Sequence, residues 1–123
     1  MRLAGAGARV VDGVYAARPA ASVPAGFAKT CAEMRWPVEE TWARLSDLAR
    51  PWYEKEDGCY IYFNRGDKHW WIDGTGGEGL YVAPGDAHDQ LLPPPAAGWR
   101  PLDGVAAPSP DVSAEVADGR GEL

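Results

Sequence analysis

The chain holds two histidines, His69 and His88, and two cysteines, Cys31 and Cys59. His88 stands between Asp86 and Asp89, so one short stretch combines an imidazole with two carboxylates, donor types that a metal ion accepts. A metal site needs three or four ligands on a rigid scaffold, whereas this cluster falls in a polar segment without periodicity. The expectation there is a solvated loop, and no metal is assigned. A thiolate nucleophile would need an exposed cysteine beside an imidazole. Cys59 falls on the apolar side of its strand, which makes it an inert thiol. Neither cysteine belongs to a CxxC pattern, which leaves two reduced thiols or one disulfide. An acid/base reading would use Asp73, Glu78 or His69, but no spacing among them compels a pairing, so no catalytic residue or cofactor is assigned.

Two further motifs have ordinary explanations. Arg65-Gly66-Asp67 spells an adhesion tripeptide, yet Gly and Asp are what a hairpin turn requires. Gly74-Thr75-Gly76-Gly77-Glu78-Gly79 is glycine-rich like a phosphate cradle, but it precedes a strand instead of opening a helix, and Glu78 repels phosphate. What remains is aromatic. Tyr60, Tyr62 and Trp71 alternate along their strands and could present rings on one side of a sheet, stacking on sugars or accepting a peptide. These three are the candidate partner-binding residues, provided that neither the helix nor the Pro93 to Trp99 segment covers them.

The elements that must position these rings are short strands. Trp52 to Lys55, Cys59 to Phe63, His69 to Asp73 and Leu80 to Ala83 are runs rich in aromatic and β-branched residues, separated by loops of a few residues. Such short connections impose antiparallel neighbours. With a four-residue loop at Asn64 to Asp67, Ile61 faces Trp70 and Cys59 faces Ile72. One face then holds Cys59, Ile61, Phe63, Trp70 and Ile72, and the other Tyr60, Tyr62, His69, Trp71 and Asp73. Earlier in the chain, Val10, Val11, Val14 and Tyr15 suggest a first strand around Asp12-Gly13, and Phe27 to Lys29 a second. One helix is expected from Pro37 to about Arg50, with Val38, Trp42 and Leu45 on one face and Glu39, Glu40, Arg44 and Asp47 on the other. Pro93 to Pro95 should lie along a sheet edge with Trp99 as anchor.

At 123 residues the chain has room for one domain. The expected fold is mainly β: an antiparallel meander of about four to six strands with one amphipathic helix packed on it. Residues 1–9 read as a flexible N-terminus, 10–103 as the β-rich domain with its helix near 37–50, and 104–123 as a disordered acidic tail. That last stretch has four acids against one arginine, half of the formal net charge of −6. Lysine occurs only at positions 29, 55 and 68, leaving no basic stripe, which argues against nucleic acid and anionic membranes as partners. No run approaches the roughly 20 apolar residues of a membrane span, and no secretory signal is visible, so the default expectation is cytoplasmic.

Taken in order, Gly13-Val14-Tyr15, Trp52-Tyr53-Glu54-Lys55, Cys59-Tyr60-Ile61-Tyr62-Phe63, Trp70-Trp71-Ile72-Asp73, Gly79-Leu80-Tyr81-Val82 and Pro94-Pro95 with Gly98-Trp99 form a pattern. It resembles a small aromatic-rich β module that recurs in multidomain proteins of unicellular eukaryotes, beside ankyrin repeats, ligase or kinase domains. The resemblance covers about Leu3 to Val112; the stretch between Tyr15 and Trp52 is longer than the pattern's. It implies an accessory or interaction role without chemistry of its own. The functional expectation is therefore a non-catalytic interaction module offering an aromatic sheet face to a protein or peptide. Carbohydrate binding, with Asp73, Asp67 or Asn64 on the hydroxyls, and a small acid/base enzyme are the alternatives.

Overall fold

The computed structural model describes residues 1–114. The fold is mainly β. Eight strands form one antiparallel sheet: β1 (Arg2–Ala4), β2 (Gly13–Arg18), β3 (Trp52–Lys55), β4 (Tyr60–Asn64), β5 (His69–Asp73), β6 (Gly79–Pro84), β7 (Arg100–Pro101) and β8 (Asp111–Ser113). Their spatial order is β7-β6-β5-β4-β3-β2-β1-β8, so all neighbours up to β7 are consecutive in sequence and β8 returns to lie beside β1. The sheet curls into a half-barrel whose ends are laced together. Gly7 N donates to Pro108 O at 2.8 Å and Val112 N to Ala96 O at 3.0 Å. Tyr81 Oη receives Ala8 N at 2.9 Å and donates to Ala106 O at 2.6 Å.

The four central strands lie where the alternating aromatic runs predict them. The two faces are also as expected, but the register between β4 and β5 is corrected. Ile61 stands opposite Ile72 and Phe63 opposite Trp70, and the hairpin closes at Asn64 and His69. The shift preserves parity, so every side chain stays on its expected face. Lys68, at φ 59°, occupies the left-handed position of the turn, and its N–H bonds Asn64 O at 2.9 Å.

Four other expectations give way. Among the described residues the strand count is eight, because Arg2–Ala4 and Asp111–Ser113 pair with each other and β1 also pairs with β2. Residues read as a flexible N-terminus and as part of the tail thus belong to the sheet, anchored by Leu3 and Val112, which are buried. Residues 115–123 of the expected tail lie outside the described residues. Phe27 to Lys29 is not a strand: it lies in a helix, α1 (Ala25–Met34), where Phe27 and Cys31 are one turn apart and both buried. The expected helix is α2 (Val38–Leu45) and stops short of Arg50. Ser46 ends it, its hydroxyl and its N–H both donating to Trp42 O, at 2.6 and 2.8 Å.

The sheet has a core on each side. Inside the half-barrel, Leu3, Val11, Tyr15, Cys59, Ile61, Phe63, Trp70, Ile72, Tyr81, Ala83 and Trp99 pack together. Outside, α1 and α2 lie on β3 to β5 and bury Phe27, Cys31 and Trp42 against Trp52, Tyr60 and Tyr62. This second core is a lattice of ring edges on ring faces, with Phe27–Trp42 centroids 4.9 Å and Trp42–Trp52 centroids 6.0 Å apart. The polar handles of the indoles are satisfied by the proline-rich approach to α1. Trp42 Nε1 donates to Ala20 O at 2.9 Å, and Trp52 Nε1 to Ser22 O at 2.8 Å.

Candidate functional site

Of the three candidate rings, Tyr60 and Tyr62 are 0% and 6% exposed beneath the helices. This removes them from any surface contact in the folded state: the expected platform is the floor of a core. Burial pushes both phenol pKa values up, with the nearby Asp73 carboxyl adding to it. Trp71 alone keeps partial exposure, at the rim of the helices, with its Nε1 donating to Asp67 Oδ2 at 2.8 Å.

The sugar-binding candidates are similarly engaged. Asp67 receives Trp71 and the His69 N–H, Asn64 Nδ2 donates to Tyr62 Oη at 3.2 Å, and Asp73 is buried. Asp67 is thus turn chemistry, and Arg65 Nη2 caps the carbonyl end of α2 at Ala43 O, 2.8 Å away. Cys59 is sealed inside the half-barrel, its Sγ near Val10 O at 3.6 Å, and burial foremost pushes its pKa up to about 11. His69 lies on the opposite face, so the two cannot cooperate. Cys31 and Cys59 are both free thiols on opposite sides of the sheet. Asp86 and Asp89 each turn one carboxylate oxygen onto their own loop, receiving His88 N at 2.8 Å and Leu91 N at 3.1 Å. Among the described residues no three histidine, cysteine or acidic side chains gather in a metal-holding group.

An open concave surface lies elsewhere, at one mouth of the half-barrel. A groove of about 720 Å³ runs between Pro84–Asp86, Leu92–Ala96, Met1 and Val112–Ala114, with Trp70 at its base. That volume lies within the range of small-molecule and short-peptide pockets, about 300 to 1,000 Å³. Among the described residues that line it, Asp86 has the one charged side chain. Leu92 stands at the lip, 47% exposed, and its chain neighbour Leu91 is 95% exposed. The site was hidden in the sequence because its walls come from four separate stretches of chain; the proline triplet was its one visible signal.

Two buried charges hold the lip in place. Arg50 and Asp47, with side chains only 2% and 6% exposed, pair at 2.9 Å. The guanidinium lies over the Phe63 ring at 4.0 Å and donates from Nη2 to Asp86 O at 3.1 Å, tying the Gly85 to Gln90 loop to the barrel. Burial acts to raise the Asp47 pKa, but the Ala49 N–H and Arg50 outweigh it and hold the carboxyl below its usual range. Gly85 fits the loop against the core, since a Cβ there would stand 2.5 Å from Phe63 Cε1.

No protein-family model, curated protein or solved structure matches the chain. Among the described residues no helix is long and apolar enough to cross a membrane.

Proposed function

We propose that the chain is a non-catalytic interaction module that accepts a short peptide segment in the groove between the Pro93–Pro95 stretch and β8. The observation that carries this reading is the groove itself, apolar along its length and floored by Trp70, with an almost fully exposed leucine beside it. Apolar surface of this kind, rimmed by polar residues, marks interaction sites on soluble domains. Asp86 at the lip and the net charge of −6 favour a segment in which an apolar anchor is followed by lysine or arginine. The reading keeps the accessory role that the resemblance implies. It moves the contact surface from the covered face of Tyr60 and Tyr62 to the mouth of the half-barrel.

The test is selection of peptides from a random library on the full chain, followed by titration of the enriched peptides. Enriched sequences should pair an apolar residue with a basic one and shift the Trp70 indole resonance. Leu92→Asp should weaken them at least tenfold, whereas Trp36→Ser, at the exposed corner between the helices, should not. Enrichment of nothing, or of peptides that bind Leu92→Asp unchanged, overturns the reading.

A further inference from the structure

A second feature owes nothing to the groove. Asp73, at the end of β5, is 4% exposed, although it carries a carboxyl group. Among the described residues its Oδ1 has no hydrogen-bond partner, and neither does the hydroxyl of Tyr60, its cross-strand neighbour. The two groups face each other closely enough to affect each other's titration without completing a hydrogen bond of ordinary geometry. What seals them is a tight seam. The first turn of α1 is pressed on the Gly74–Glu78 turn so closely that a Cβ on Gly26 would stand 2.8 Å from Gly77 N, 2.9 Å from Thr75 O and 3.1 Å from Tyr60 Cε1. Thr30 Oγ1 closes the seam with a hydrogen bond to Gly76 O at 3.2 Å.

The surroundings disfavour negative charge. Tyr60 and Tyr62 approach from β4, and both are neutral phenols at ordinary pH. From the turn comes Glu78, of like charge, its Oε1 occupied by Gly76 N at 3.0 Å. From α1 come Cys31, whose burial raises its thiol pKa, and Lys29, whose Nζ stands over the Gly76 end of the turn. On β3, Glu54 is opposite Tyr60 but is paired with Arg18 at 2.8 Å. Among the described residues no cation forms an ion pair with the carboxyl. Burial first, and Glu78 next, push the Asp73 pKa up to about 7, against the hydrogen-bonding influence of Tyr60.

We propose that Asp73 is a proton-operated latch for α1: the neutral acid permits the sealed seam, and its ionisation drives the first turn of α1 off the Gly74–Glu78 turn. A buried carboxylate whose Oδ1 lacks a hydrogen-bond partner is relieved by admitting water, and the seam lies against its neighbour Tyr60. Opening there uncovers Tyr60, at the edge of the aromatic core. The device couples the state of this face to pH changes around neutrality, the range in which a few cellular environments differ.

Two measurements on the full chain test the proposal. The carbon resonance of the Asp73 carboxyl, followed from pH 4 to 9, should titrate far above the ordinary carboxylate range; a midpoint below about 5 overturns the proposal. Amide exchange at Ala28, whose N–H bonds Pro24 O at 3.0 Å, and at Lys29 in the next turn, corrected for the intrinsic pH dependence of exchange, should lose at least tenfold in protection between pH 5.5 and 8.5. The loss should vanish in Asp73→Asn, or in Asp73→Ser should the amide fit poorly. Protection that is constant in the wild type, or that falls equally in both variants, overturns it. Peptide binding at the groove is a separate readout, so failure of either reading leaves the other standing.

Discussion

The two faces of the sheet are buried by different means and differ in what they bury. Inside the half-barrel, the strands of one sheet cover one another, and the central residues Ile61, Phe63, Trp70 and Ile72 form an apolar filling. The hydroxyls that enter there are satisfied, the Tyr15 hydroxyl reaching Val11 O at 2.7 Å and Tyr81 having both Ala8 and Ala106, while Arg50, over Phe63, leaves its Nη1 without a partner among the described residues. On the other face, two helices cover rings with polar handles, and at its edge Tyr60 and Asp73 are left without partners among the described residues. The face closed by its own sheet has an apolar centre, with the Arg50–Asp47 pair at its rim. A face closed by added helices retains polar groups whose cost is relieved when the cover lifts, so the helix side is where local opening should begin.

The largest test of this contrast is truncation on each side. Trp70→Ala and Trp42→Ala should each destabilise by roughly 3–5 kcal/mol in denaturant titration, since both indoles are 2% exposed. A small loss for Trp42→Ala alone would make the helices a loose cover instead of a second core. Next comes pH. Asp73 binds its proton up to about pH 7 when folded, against an ordinary value of 3.8. Between those values the native state holds more protons than the unfolded one, so stability is fully present below about pH 4, falls as pH rises, and levels off above about pH 7. A tenfold difference in proton affinity between the two states is worth about 1.4 kcal/mol, which places the whole fall at a few kcal/mol. Asp73→Asn should flatten the curve measured by urea unfolding and overtake the wild type at pH 8.

A smaller effect is expected from Gly26→Ala, about 1–3 kcal/mol, because the nearest atoms that the methyl meets are backbone. The loss should appear mostly as faster exchange in α1, with the half-barrel amides unchanged. Smallest of all is Leu91→Ser: a side chain 95% exposed should leave the thermal midpoint within experimental error while weakening any peptide at the groove.

The strands β3 to β6 and their faces were legible because alternation over four to six residues leaves a period-two record. The register was less so, since a shift that keeps parity leaves the pattern of faces unchanged. β1 and β8 carry one buried residue each, Leu3 and Val112, too few to show any period. Helix α1 was misread because Phe27 to Lys29 gives only a fragment of its apolar spacing, with Cys31 the second buried contact. The covering of Tyr60 and Tyr62 followed from that omission: one helix leaves part of the face open, and two close it. Of the groove only the proline triplet left a trace, as proximity between Met1, Trp70 and Val112 arises only when the sheet curls.

The pairing of β1 with β8 also has a consequence for how the molecule is born. Arg2 meets Ser113 across more than a hundred residues of chain, whereas β3 to β6 join neighbours a few residues apart. Closing the longest loop carries the greatest entropic cost and must wait for β8 to leave the ribosome. The hairpins can form during synthesis, while one wall of the groove is supplied by the final contact. A nascent chain would therefore carry a folded centre before it could hold any guest, and its competence to bind would report that translation had passed β8.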